Sequence, residues 1–137
     1  MENHVEDYRT IGARAQQRVL DAIPSKWRLS AEMKAGYGGR AIAFIPKCGI
    51  LTERQLEITE LSAIPLLRQI QSGHLLAREA TEAFCARAAV IHQLCNTLTD
   101  FFPDEGIAYA QAIDDEFARS GKLVGELHGL PMAVKDM

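Results

Sequence analysis

Apolar residues recur at three- and four-residue steps along several stretches of this chain, and each such stretch predicts a helix with one buried face. The first runs from about Val5 to Ile23, with Ile11, Ala15, Val19 and Ala22 or Ile23 sharing a side. Pro24 ends it, because the residue before a proline is driven out of the helical region. Thr52-Glu53-Arg54-Gln55 has the capping-box pattern, in which Thr52 and Gln55 satisfy each other's free backbone N–H groups, so a short helix starts there. Thr59-Glu60 predicts the start of a second, carrying Leu61, Ile64, Leu67 or Arg68, and Ile70 to Gln71. Pro65 is tolerated in its first turns, and Ser72-Gly73 closes it. The clearest helix spans about Ala77 to Asn96, with Ala80, Phe84, Ala88, Ile91 and Cys95 inward and Glu79, Glu82, Arg87 and Gln93 as the polar residues between them. Pro103-Asp104 opens the last, with Ile107, Ala108, Ala110 or Gln111, Ile113 or Asp114, Phe117 and Ala118 inward until Ser120-Gly121 stops it.

The stretches between these helices break the period. Ser25 to Leu51 holds Pro46 and four glycines and reads as an irregular connector lying against something larger. Gly36-Tyr37-Gly38-Gly39 invites comparison with a phosphate-cradling loop, but Trp27 to Glu32 is not the buried strand such a loop needs before it, which argues against phosphate binding. Thr97 to Phe101 alternates polar and apolar and predicts a brief extended segment. Leu130-Pro131-Met132-Ala133-Val134 is a continuous apolar run, the pattern of a strand covered on both faces. A buried strand needs neighbours for its backbone groups, and only Leu98 to Phe101 is offered. The chain therefore reads as the opening of a larger α/β domain: mostly α-helical, with an extended linker and one or two short strands.

Composition narrows the class. The 137 residues, 47% hydrophobic and 24% charged, are those of a globular protein of one ordinary domain. A net charge of −3 matches neither a nucleic-acid backbone nor an anionic membrane surface, so neither partner is expected. Residues 1 to 52 carry a charge of +3 and the remainder −6, which places a boundary near Leu51-Thr52 and divides the chain into 1–51 and 52–137. No run approaches the roughly 18 apolar residues of a membrane helix, and the acidic start is unlike a signal or transit peptide, so a cytoplasmic location is expected. Cys48, Cys85 and Cys95 lack metal or redox spacing. Cys85 and Cys95 fall about 15 Å apart along one helix, beyond the roughly 7 Å reach of a disulfide, and are expected to be packed thiols.

The order of features then resembles the start of the amidase signature family. Ile58-Thr59-Glu60, Leu66-Leu67 and Ser72-Gly73 are similar to its first helices. Ala83-Phe84 and Arg87-Ala88-Ala89, followed by Asn96-Thr97-Leu98-Thr99, are similar to its next helix and the turn after it. Gly125-Glu126-Leu127-His128-Gly129-Leu130-Pro131-Met132-Ala133-Val134-Lys135-Asp136 resembles the family's Gly-Pro-Leu-His-Gly-Ile-Pro-x-x-x-Lys-Asp strand. Ile23 to Leu29 and Cys48 to Thr52 resemble the extension of the fungal general amidase or acetamidase branch. Two positions depart from the pattern: Glu126 stands in place of proline, and Leu76 in place of the Ser or Thr that caps the long helix, a loss of about 1 kcal/mol.

The resemblance implies hydrolysis of linear carboxylic amides by a Ser–cis-Ser–Lys triad, with Lys135 as the matching catalytic lysine. By spacing alone, a lysine at a strand end reads as a solvated charge; the motif match reverses that reading, since a buried lysine that loses its proton is a fit base for a serine. Asp136 is expected to organise the following turn, and His128 to be a packing or loop residue. No metal site is expected around His128, and no cofactor. In the family both serines and the oxyanion donors follow the Lys-Asp motif, whereas Ser25, Ser30, Ser62, Ser72 and Ser120 all precede it. The expectation is an N-terminal fragment of an amidase, by itself inactive. The alternative is a non-catalytic helical interaction module or truncated relic, and self-association through the exposed C-terminal strand is a further expectation.

Overall fold

A computed structural model of the chain describes residues 7–135. Among these residues seven α-helices follow one another: α1 (Tyr8–Asp21), α2 (Ala31–Ala35), α3 (Ala41–Phe44), α4 (Glu53–Glu60), α5 (Ala63–Gln71), α6 (Ala77–Cys95) and α7 (Pro103–Ser120), with 3₁₀ turns at Ser25–Trp27 and Ile45–Lys47. No strand occurs among the described residues, so the short strands expected at residues 97–101 and 130–134 are not formed. A strand exists only where a neighbour completes its backbone hydrogen bonds, and these two stretches do not pair. The linker, expected to be irregular, is instead broken into short helices. The predicted start of α1 at Val5 lies outside the described residues.

Local chemistry sets most helix boundaries. Thr52 Oγ1 accepts the Gln55 N–H at 3.2 Å and Gln55 Oε1 accepts the Thr52 N–H at 3.1 Å, closing the capping box. Thr59-Glu60 does not begin α5. The Thr59 hydroxyl points back onto the Gln55 and Leu56 carbonyls, which keeps it inside α4, and the chain breaks at Leu61 before Ser62 starts α5. Gly73 and Gly121 take left-handed conformations, φ 77° and 65°, after α5 and α7.

Helix α6 is the axis of the molecule, packed against α7, α4 and both 3₁₀ turns. Its deeply buried stripe is Ala77, Ala80, Ala83, Ala86, Ala89 and Val90, rotated from the predicted one: Phe84, Ala88 and Ile91 are half-buried and Cys95 is exposed. Alanines at three-residue steps let neighbours approach from two sides, so only Arg78 and Cys95 of the helix are exposed. Two apolar clusters share the axis. Around its first half lie Ile58, Leu66, Ile70, Leu75 and Ala110. Around its second half lie Ile23, Trp27, Leu29, Ile45, Cys48 and Leu51, which brings the two linker segments read from sequence into one core. Helix α1 contributes only its last turn; Val19 is buried while Ile11 is 47% exposed.

Four polar residues of α6, Glu79, Glu82, Arg87 and Gln93, bond to neighbouring segments. Arg54 pairs with Glu79 at 3.0 Å and Lys26 with Glu82. Arg87 donates to the Thr59 hydroxyl at 2.8 Å and to Glu60 at 2.6 Å. Gln93 Nε2 donates to the Trp27 carbonyl at 2.8 Å and its Oε1 accepts the Leu29 N–H at 2.9 Å, so one side-chain amide pairs with the linker as an adjacent strand would.

The missing cap at Leu76 is supplied from elsewhere. Asp114 of α7, itself buried, accepts the Ala77 N–H on Oδ1 at 2.8 Å and the Arg78 N–H on Oδ2 at 2.9 Å. A carboxylate there satisfies two of the orphan donors of the first turn and sits at the positive end of the helix dipole. At the other end, His92 is buried and its Nδ1 accepts the Leu98 N–H at 3.0 Å, turning the chain after Asn96.

Two outcomes follow. Asp114→Ala is expected to lower stability by about 2–3 kcal/mol, because it strands two N–H groups and removes a charge-assisted pair; a urea midpoint unchanged from wild type would refute the cap. Burial lowers the His92 pKa from its ordinary 6.5, so the unfolded chain binds the proton more readily. Its contribution to stability is complete above about pH 6.5 and is lost as pH falls through that value toward the folded pKa. Thermal melts between about pH 7.5 and pH 5 should therefore fall less for His92→Asn, which keeps an acceptor and loses the titration, than for wild type.

Candidate active-site segment

Residues 122–135 follow α7 and carry Lys135. Glu126 to Gly129 form a turn closed by the His128 N–H on the Gly125 carbonyl at 3.2 Å and the Leu130 N–H on the Leu127 carbonyl at 3.1 Å. The turn is seated on the helical body. Gln71 Nε2 at the end of α5 donates to the Glu126 carbonyl at 2.7 Å. His128 is buried, its ring edge-on to Phe117 of α7 with centroids 5.2 Å apart, and its Nδ1 accepts the Val124 N–H at 3.1 Å. As expected from sequence, it is a packing and loop residue. Glu126, the departure from proline, is exposed and uses only its carbonyl in this seating.

Gly129 makes the closest approach. Its φ of 73° lies in the left-handed region, and a Cβ built there would fall 2.6 Å from the Ala77 Cβ and 2.8 Å from Ile70 Cγ2. Only glycine fits both demands.

Past Pro131 the segment leaves the body. Met132 is 68% and Val134 90% exposed, and Ala133 and Lys135 are exposed too. The run expected to be a covered strand is thus unpaired, half-buried at Leu130 and Pro131 and uncovered from Met132 on. Lys135 is not buried here, contrary to the environment expected of a neutral lysine. Asp136 lies outside the described residues.

The serines stand at helix ends, all ahead of this segment in sequence. Ser25 opens a 3₁₀ turn, Ser30 caps α2 by accepting the Met33 N–H at 3.1 Å, and Ser62 precedes α5. Ser120 closes α7, donating to the Glu116 carbonyl at 2.8 Å and accepting the Lys122 N–H at 3.1 Å. Ser72 Oγ lies 2.8 Å from His74 Nδ1 and 3.1 Å from the Gln69 carbonyl.

The cysteines divide by burial. Cys48 is buried and donates to the Ile45 carbonyl; burial, with Glu82 nearby, pushes the half-buried Cys85 thiol up to about 11, which withholds the thiolate at neutral pH. Cys95, expected to be packed, is exposed and lies 3.3 Å from the Tyr37 hydroxyl, a contact that raises the Tyr37 pKa. Tyr37 lines an open cleft of about 710 Å³ with Arg40, Phe44 and Lys47. The glycines beside it, Gly38 and Gly39, join two helices of five and four residues rather than a strand and a long helix.

The Amidase family model matches residues 79–137, and the chain is 44% identical over 131 residues, 94% of its length, to an amidase of Gibberella zeae. The chain belongs to the amidase family. It is also 39% identical over 134 residues to the acetamidase of Emericella nidulans, covering 96% of this chain. In each case it spans 23% of the length of the curated relative. Among solved structures it is similar to fatty acid amide hydrolase, with a TM-score of 0.73 and 31% identity over 85% of this chain and 21% of that one. The helical body is therefore part of the amidase fold. Among the described residues, no helix is long and apolar enough to cross a membrane.

Replacing Gly129 by alanine should destabilise this chain by about 2–4 kcal/mol, from the overlap with Ala77 and Ile70 and the left-handed backbone. Denaturant titration reads it; a loss under about 0.5 kcal/mol would show that the turn is not seated as described.

Proposed function

We propose that residues 52–137 are the beginning of an amidase domain that hydrolyses linear carboxylic amides, that residues 1–51 are its extension, and that Lys135 is the general base. The match of Gly125 to Asp136 to the family's lysine-bearing segment, within the stretch matched by the family model, carries this reading. In it, Lys135 in its neutral form takes up the proton released as one serine, through a second, attacks the amide carbonyl. The C–N bond breaks, the amine leaves with a proton, and water hydrolyses the acyl ester. A lysine does this at neutral pH only out of water and among groups that disfavour its charge. The reading therefore assigns the cover of residues 132–135, and both serines, to protein beyond the described residues. The serines of this chain stand at helix ends, and without a nucleophile and oxyanion donors the base has nothing to activate.

The 137-residue chain is accordingly expected to release no ammonia from a simple linear amide. Sequencing the transcript past the codon for Met137 comes first. If the frame continues into a serine-containing region, the longer product should hydrolyse the amide, and Lys135→Ala should lower its kcat about 10²–10⁴-fold. Unchanged turnover in that variant, or turnover by the 137-residue chain, would sink the assignment.

A further inference from the structure

The turn ahead of Lys135 is fastened at three places, and the three act differently. Gln71 holds the Glu126 carbonyl from outside, at 2.7 Å. Gly129 rests on Ala77 and Ile70 by shape. His128 does something neither does: its Nδ1 accepts the Val124 N–H at 3.1 Å, so the side chain at the end of the turn ties down the residue at its start. The ring is 1% exposed and braced edge-on by Phe117. To accept at Nδ1 the ring must carry its proton on Nε2, which fixes both tautomer and orientation. Two residues later the chain reaches Leu130, half-buried against the first apolar cluster of α6, and then departs into the exposed Met132 to Lys135.

We propose that His128 is a positioning residue for amide cleavage, closing residues 124–128 on Phe117 so that the segment bearing Lys135 leaves the helical body from one fixed point and in one direction. This rests on Lys135 being the general base. The five steps from Leu130 to Lys135 span roughly 16 Å when extended, so a displacement at the turn is carried to the end that bears Lys135. A shift of about 1 Å in a reacting group costs on the order of 10²-fold in rate.

The test needs no turnover, so it separates from the activity assays of Lys135. In the ¹⁵N-labelled 137-residue chain, the ring shifts of His128 should show the Nε2–H tautomer; the Nδ1–H tautomer would overturn the proposal without any variant. His128→Phe keeps an aromatic ring but no acceptor, and should speed exchange of the Val124 amide about tenfold or more and lower the heteronuclear NOE of residues 130–135. His128→Asn offers an oxygen near the position of Nδ1 and should restore much of both. A residue serving only general stability would shift the melting temperature in both variants without a change confined to 124–135. Relaxation of residues 130–135 that is the same in wild type and His128→Phe would likewise refute the positioning role.

Discussion

The pair of hydrogen bonds from the Ala77 and Arg78 N–H groups to Asp114 is the constraint on which the rest of the molecule hangs. Helix α6 is the axis, its first turn is buried against α5 and α7, and a buried helix start cannot leave its donors to water. A serine at position 76 would have satisfied one donor locally. Asp114 satisfies two, and it does so from another helix, so the same carboxylate that ends the accounting for α6 also sets where α7 lies against it. Local capping and tertiary packing are here one interaction.

From that axis outward, α4 and the first 3₁₀ turn are each attached by polar side chains on α6. Glu79 takes α4, Arg87 takes the end of α4, Glu82 and Gln93 take the first 3₁₀ turn and the strand-like residue after it. The exposed ion pairs among these are each worth about 1 kcal/mol or less; their value is directional. The alanine stripe supplies most of the burial and little orientation, since small apolar surfaces slide. Gln93 removes that freedom for the linker, because its amide must face both Trp27 and Leu29 in register. The linker thus joins the core through Ile23, Trp27, Leu29, Cys48 and Leu51.

Features with a local cause were legible in the sequence. The Thr52–Gln55 box, the glycines after α5 and α7, and the span of α6 each depend on residues within a few positions. The face of α6 was not legible, because a helix covered on several sides has no solvent side for the pattern to mark. The acceptor for its first turn was half visible: periodicity put Ile113 or Asp114 inward, and Leu76 left a helix uncapped. An inward aspartate and an orphan helix start, 37 positions apart, are two deficits that cancel, and joining them requires the tertiary fold. Strands at residues 97–101 and 130–134 failed for the converse reason. Their patterns describe an environment of neighbours on both sides, and pattern alone does not provide the neighbours. For the candidate site, the motif pointed to Lys135 and to a packing role for His128; the bond across the turn to Val124 had no sequence signal beyond the histidine itself.

Gly129 comes to rest on Ala77, the same residue whose N–H is held by Asp114. Positions 77 and 129 are therefore a single steric unit with no spare volume to share. A residue larger than alanine at 77 has no smaller partner to trade with, since position 129 is already at the minimum. The only relief is to lift the turn, and with it the lysine-bearing tail, away from the helix. In a comparison of variants, this contact should behave as a threshold rather than a gradient, tolerating alanine and glycine at 77 and nothing bulkier.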